Sequence, residues 1–380
     1  MKKKLVMIVE AMLGGIRQHV CDIAENLDRT GYEIYIIYSD LRADAVFKET
    51  KEELSGYAEL ICCNEMQRPI SGKDFMAYKA IVKILREIHP DIVHCHSSKA
   101  GIVGRLAAKK CKVPLVIYTP NAYAFQSPDV SPLKKYVYIY AERLLSRRAT
   151  SITLNVSKGE MKLAQDYRID RPEKFRLIYN GIPQTELKER MQIRKELGLR
   201  ENIFYVGVTA RCAPQKDPFT FLEIAGKTVQ NQSNIEFIYI GDGELQGEMT
   251  QWITEHGLEQ KIHMLGFRTD AAVIVGALDL YLSTALYEGL PYSMIEAMRA
   301  GVPVIATDTV GNNELVFEGV NGKLFPVKDA DRAVGLILEQ YRSGGIEREK
   351  VKNTFLKEFS VEVMVRQLNE VYQTENYVIT

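Results

Sequence analysis

Two carboxylates in "LYEGLPYSMIEAMRAG", Glu288 and Glu296, stand eight residues apart, one in a turn and one in a segment of helical period. Carboxylates accept hydrogen bonds from neutral hydroxyls, so this pair suits an extended ligand bearing several of them, such as a sugar or a ribose. The surrounding sequence reads as a buried strand, LDLYLST, then a turn through Glu288, Gly289 and Leu290, then a helix. Pro291 fits the first helical position, where a missing N–H costs nothing, and Gly301 fits the far end. Gly289 removes side-chain bulk where a ligand would approach. The helix N-terminus adds free backbone N–H groups and positive potential, which favour phosphate or hydroxyl groups. Physics alone also allows a plainer account: one Glu favoured by a helix dipole and one solvated on a surface helix.

Other strand ends carry further candidates. "GVTARCAPQKDP" sets Arg211 and Lys216 in one turn, two fixed cations able to neutralise a diphosphate leaving group. "IGDGEL" offers Gly241 for close approach of backbone to ligand. "VEAMLGGIRQHV" puts Gly14 and Gly15 between the first strand and first helix. That loop lacks the G-x-G-x-x-G spacing of dinucleotide binders, which disfavours a nicotinamide cofactor even though Asp40 follows. "DIVHCHSSKAG" brings His94 and His96 to the same side of a strand end, with Ser98 and Lys99 just beyond. A metal would need a third ligand that the sequence does not place, so the pair reads as polar site residues. Ser97 or Ser98 is the expected cap of the next helix. No G-x-S-x-G, P-loop or activated cysteine context is present. "PLKKYVYIYAERLLSRRA" (132–149) reads as an amphipathic helix. Lys134, Lys135, Arg143, Arg147 and Arg148 are its basic side chains, and Tyr136, Tyr138 and Tyr140 suit a membrane interface. A core-packed helix with a basic outer face is the alternative.

The elements that must hold these residues repeat in two series. Apolar β-branched runs at 4–9, 33–38, 91–96, 114–119 and 151–156 alternate with helical segments, and a second series restarts at 202–210, 235–241, 261–266, 278–284 and 302–308. Continuous apolar strands alternating with helices mean parallel sheets covered on both faces. The expectation is therefore an α/β protein with two doubly wound Rossmann-like domains, 1–185 and 186–359, divided near Asn180-Gly181. Ligands of such sheets bind beyond the carboxyl ends of the strands, here in the cleft between domains. Charge separates the halves: residues 1–185 hold 29 Lys+Arg against 21 Asp+Glu, and residues 186–380 hold 20 against 28. A basic first half suits an anionic ligand or surface. The six cysteines form no C-x-x-C pair and read as buried thiols of a cytoplasmic protein. No run reaches the roughly 20 apolar residues of a membrane span.

Taken together the motifs resemble the retaining glycosyltransferases of family 4, the group 1 transferases of GT-B fold. The resemblance runs from the glycine turn through "HSSKAG", "IYNGIP", "RCAPQK", "GDGEL" and "LGFRTD" to "EGLPYSMIEAMRAGVPVIATD" and "VGNNELVFEGVNGKLF". It implies that Glu288 and the turn after it hold the donor sugar, Glu296 the nucleotide ribose, and Arg211 with Lys216 the diphosphate. It further implies that Gly15 approaches the donor, that the backbone near Phe267 and Arg268 reads the base, and that 360–380 crosses back to the first domain. No metal or other cofactor is implied. The family segment TPH has its His touching the donor sugar; here "YTPNAYAF" carries Asn121, so altered sugar preference is expected. "HSSKAG" and "ATDTVGN" look like the subset that extends polyprenyl-diphosphate-linked saccharides for capsule, exopolysaccharide or O-antigen, with the first domain on the acceptor side and UDP the commonest base. A non-catalytic partner subunit, a nucleotide-sugar epimerase and a soluble-acceptor synthase are the competing readings; nucleic acid is not an expected partner.

Overall fold

The computed structural model describes residues 2–67, 71–126 and 130–374. The chain divides into two compact units, one made of the residues up to Gly181 with the stretch that starts at Val361, the other of Ile182–Ser360. Residues 375–380 of the expected C-terminal crossover lie outside the described residues.

The first unit is a parallel sheet of β1 (Lys3–Val9), β2 (Tyr32–Tyr38), β3 (Glu59–Cys62), β4 (Ile92–His96), β5 (Leu115–Thr119), β6 (Ile152–Asn155) and β7 (Phe175–Leu177), in the order β3-β2-β1-β4-β5-β6-β7. Its central strands are apolar on both faces because helices cover both. Gly14–Asn26 and Val361–Tyr372 close one face, where Val20, Ile23, Met364 and Leu368 meet Leu5, Met7 and Ile117. Lys73–Ile88, Ser98–Lys110 and Pro132–Ala149 close the other, where Ile81, Leu85, Val103 and Ile139 meet Val6, Ile8 and Val116. The cysteine expectation needs correction here: Cys62, on the edge strand β3, is exposed, and Cys111 is half-buried.

The second unit repeats the plan with β8 (Phe204–Thr209), β9 (Ile235–Ile240), β10 (Ile262–Gly266), β11 (Leu280–Ser283), β12 (Val304–Thr307) and β13 (Gly322–Phe325), ordered β10-β9-β8-β11-β12-β13. In both sheets the order reverses once, between β1 and β4 and between β8 and β11. Loops leaving adjacent strands at such a reversal splay apart and open a crevice at the carboxyl ends.

One buried charge fixes the outer helix layer of the first unit. Arg105 is fully buried on Ser98–Lys110 and donates to both carboxylate oxygens of Glu142 at 3.0 Å and to the Gly101 carbonyl at 2.6 Å, with its guanidinium over the Tyr118 ring. Removing one partner leaves the other charge buried and unpaired. Arg105→Met is therefore expected to cost about 3–5 kcal/mol, read as a lower urea midpoint, and Arg105→Met/Glu142→Leu to recover most of it.

Candidate functional site

In the second unit the reversal brings together the loops after β8 and β11. The β8 loop is locked to the β9 turn by close backbone approach. A Cβ on Gly241 would lie 2.0 Å from the Ala210 carbonyl oxygen, and one on Gly243 would lie 2.6 Å from that of Cys212. These glycines, at φ +142° and +150°, are required by protein packing, whether or not a ligand also meets the turn at Gly241. The lock fixes the course of the chain into Pro214–Lys216, a single 3-10 turn.

From that turn Lys216 is aimed at Glu288. The hydroxyl of Thr284 lies 2.8 Å from the carbonyl of Lys216 and 3.0 Å from that of Asp217, and Gln215 exchanges bonds with the β11 loop: Leu286 N–H to its carbonyl at 2.9 Å, its own amide to the Tyr287 carbonyl at 2.9 Å. The ammonium of Lys216 then ion-pairs with the Glu288 carboxylate, whose side chain is only 10% exposed. A carboxylate so far from water needs such a partner. Thr209, Lys216, Tyr281, Thr284, Glu288 and Ser293 line a small polar hollow at this point. Tyr281, fully buried beneath it, has its hydroxyl 2.9 Å from the Ser293 hydroxyl and 3.1 Å from the Thr209 carbonyl.

The helix Tyr292–Arg299 starts at the rim of the hollow. Pro291 is its cap, with extended ψ of 111°, and not its first helical residue as expected; Gly301, at φ +71°, follows its end. Leu290 is buried under the turn, and no atom lies within 4 Å of where a Gly289 Cβ would be. Glu296 is half-buried on this helix, and burial pushes its carboxyl above the usual range against the opposing pull of Arg299. Arg211 is exposed beyond the β8 loop, and Phe267 is exposed after β10. The Arg268 guanidinium is engaged by Asp270 through two bonds of 2.8 and 2.7 Å.

The first unit treats its candidates less uniformly. His94 and His96 are fully buried, a correction to their reading as site residues. β4 is central, and its alternate side chains point into the layer of Gly14–Asn26 and Val361–Tyr372. His94 lies 2.8 Å from the Tyr372 hydroxyl and 2.7 Å from that of Thr119, and the His94 and His96 rings are 4.0 Å apart. Burial holds both well below the ordinary imidazole pKa, and lowers that of neighbouring His19 to about 4. Lys99 is tied to Asp74 at 2.7 Å. Ser97 occupies the cap position ahead of Ser98, at φ +68°, but makes no side-chain cap bond. Gly14 and Gly15 begin the first helix itself, and the Gly14 N–H donates to Asp44 at 3.0 Å, so it is not an open amide. Asn121 and Ala122 follow β5 with φ +50° and +79°, left-handed conformations rare for such residues. They are held by Glu160, whose carboxylate accepts from Ala122 N–H at 2.8 Å and from Val156 N–H at 2.9 Å.

Pattern reading missed Gln215, Thr284, Tyr281 and Glu160. Each acts through bonds to backbone or a neighbouring hydroxyl, which leave no periodic trace; the S-x-x-E at Ser157–Glu160 was the one local signal.

A family model described as glycosyl transferases group 1 matches residues 189–355, and one described as glycosyltransferase family 4 matches residues 13–186. A UDP-Gal:alpha-D-GlcNAc-diphosphoundecaprenol alpha-1,3-galactosyltransferase of Escherichia coli is 30% identical over 317 residues, covering 79% of each chain. The putative glycosyltransferase EpsD of Bacillus subtilis is 23% identical over 317 residues, 80% of this chain and 82% of that one. Among solved structures, Anabaena HepE in complex with UDP and glucose aligns with a TM-score of 0.78 at 22% identity, covering 98% of this chain and 100% of that one. A glycosyltransferase from Rickettsia africae aligns at 0.81 and 19% identity, covering 98% of each. With both halves matched by models and a relative at this identity along most of its length, the chain belongs to the family 4, group 1 glycosyltransferases, and its two units are the Rossmann-like domains of a GT-B fold.

Proposed function

We propose that this glycosyltransferase moves a sugar, with retention and without a metal, from a nucleotide-sugar to a polyprenyl-diphosphate-linked saccharide during synthesis of a cell-surface polysaccharide. UDP is the favoured nucleotide. The observation that carries the reading is the Lys216–Glu288 pair in a polar hollow at a helix start, with Glu296 further along the same helix. Glu288 and the backbone after it would take the hydroxyls of the sugar, and Glu296 those of the ribose. Between them Lys216, Arg211 and the positive helix end would carry the charge of the leaving diphosphate, the work a metal ion does elsewhere. Phe267 lies on the segment that would meet the base. In the transfer, the bond from the sugar's anomeric carbon to the diphosphate oxygen breaks. The acceptor oxygen bonds to that carbon on the same face, and its proton passes to the departing diphosphate. Asn121 is the amide offered to the sugar in place of a histidine. The acceptor class is supported by the Escherichia coli relative, which acts on a diphosphoundecaprenol-linked sugar.

Contact with a membrane face belongs to the same reading. No helix among the described residues is long and apolar enough to cross a bilayer. Pro132–Ala149 buries Ile139, Leu145 and Ala149 but leaves Leu133, Tyr136, Val137, Tyr140 and Leu144 exposed, the first four by 58–77%. Their three- and four-residue spacing makes one continuous apolar stripe, with Lys134 and Arg148 exposed beside it. Not every basic residue of the expected set contributes: Arg143 turns inward and donates twice to the Tyr167 carbonyl.

Nucleotide release from UDP- and GDP-sugars in EDTA, with and without a bacterial polyprenyl-lipid extract, tests the function. Release requiring one donor and the lipid is expected; release abolished by EDTA and restored by a divalent ion would end the metal-free assignment. Glu288→Ala is expected to lose transfer while nucleotide still binds, whereas Arg211→Ala and Lys216→Ala lose both. Intact turnover in Arg211→Ala would remove it from the clamp.

The raised pKa of Glu296 gives a pH signature. Ribose hydroxyls bind the ionised carboxylate, so nucleotide affinity falls as pH drops through a range above that of an ordinary carboxylate, and Glu296→Gln lacks that acid limb. Calorimetric titration with UDP from neutral to acid pH reads it. Flotation with anionic vesicles tests the helix face: Tyr136→Asp/Tyr140→Asp is expected to lower the bound fraction several-fold, with turnover on a short-chain soluble acceptor unchanged.

A further inference from the structure

The turn that carries Glu288 is shaped by a second loop, the one that leaves β12. Five contacts join them. The Thr307 hydroxyl donates to the Ala285 carbonyl at 2.5 Å and the Thr309 hydroxyl to the Leu286 carbonyl at 2.8 Å. The Glu288 N–H donates to the Val310 carbonyl at 3.1 Å. Gly311, at φ +90°, packs so tightly under the turn that a Cβ there would lie 2.7 Å from both the Glu288 and Gly289 carbonyl oxygens. Asn312, fully buried, donates to the Thr307 hydroxyl at 2.9 Å and to the Ser283 hydroxyl at 3.3 Å, fixing the brace to the end of β11.

Every carbonyl from Ala285 to Gly289 except that of Tyr287, which Gln215 takes, is thus bound or pressed upon by this one loop. The turn's own side chains anchor it only in part, through Glu288 on Lys216 and the buried Leu290: Tyr287 is half exposed, and Gly289 has none. We infer that Thr309 and Gly311 are positioning residues for sugar transfer, setting the height and pitch of the Glu288 turn against the sugar of the donor. This rests on the reading that Glu288 holds that sugar. Thr309 is the informative member, because it is half-buried and its hydroxyl supplies one bond to one carbonyl. Its effect falls on the part of the donor that differs between substrates, and not on the nucleotide.

The test compares Thr309→Val, which keeps the shape and removes the hydroxyl, with Thr309→Ser, which restores it. Gly311→Ala and Glu288→Ala are run alongside. Thr309→Val is expected to lower kcat for nucleotide release roughly tenfold, the loss of one well-made hydrogen bond. UDP affinity by calorimetry and the thermal midpoint stay near wild type, and Thr309→Ser recovers most of the rate. Gly311→Ala is expected to lose more, with UDP binding again retained. Amide hydrogen exchange at Glu288 should speed up in Thr309→Val, a readout that needs no turnover. Unchanged kcat and exchange in Thr309→Val, while Glu288→Ala abolishes transfer, would overturn the brace and leave the donor site standing. A rate loss matched by an equal loss of UDP affinity would also overturn it. Full transfer in Glu288→Ala would instead overturn the donor-site reading, and with it any role for Thr309 in positioning.

Discussion

A carboxylate taken nine-tenths out of water must be met by a cation, and in the second domain that demand falls on Glu288 and is answered by Lys216. The two residues lie on loops after different strands, β8 and β11, and neither loop holds its course alone. The β8 loop is pinned by the glycine turn after β9, and the β11 loop by Gln215, Thr284 and the segment after β12. Four strand ends are therefore committed to keeping one ion pair in place. The sheet supplies their starting points, since adjacent parallel strands on either side of the order reversal end at one level.

The first domain is built on the same plan with different contents. At its reversal the polar groups on β4 point into the protein and are met by the last described helix, through His94 and Tyr372. What remains at the strand ends is backbone held in unusual conformations, Ser97 after β4 and the Asn121–Ala122 pair after β5. Strained backbone of this kind persists only where its surroundings over-determine it. Glu160 does so for Asn121 and Ala122 by binding two strand-end loops with one carboxylate.

The alternation of apolar runs and helical segments was enough to read two doubly wound domains, because buried parallel strands are apolar along their whole length. β3, β7 and β13 escaped for a physical reason. They are edge strands of three or four residues, only partly buried, so they lack both the length and the hydrophobicity that mark a strand. At the site, Glu288, Glu296 and Pro291 stood out because a strand–turn–helix forces their placement. The histidines misled because period two tells which side chains share a face and not which layer covers that face. Gly241 reports close approach without naming what approaches, and the fold puts the Ala210 carbonyl there. The threonine and glutamine bonds to backbone stayed invisible, since hydroxyls and amides at strand ends are common and only the fold says which carbonyl each one meets.

The helix Val361–Tyr372 belongs to the core of the first domain, where Met364, Leu368 and Tyr372 are packed against the sheet. It is made after the whole of the second domain. A nascent chain emerging from the ribosome thus carries its first sheet with one face partly bare, and the His94 ring with Thr119 but without Tyr372, for the time needed to synthesise residues 182–360. At ordinary elongation rates of about 5–20 residues per second, that interval is on the order of ten seconds or more. The second domain, contiguous in sequence, meets no such wait. The later-coded domain thus holds all of its sheet and covering helices in one stretch, whereas the earlier-coded one is completed by a segment made after it.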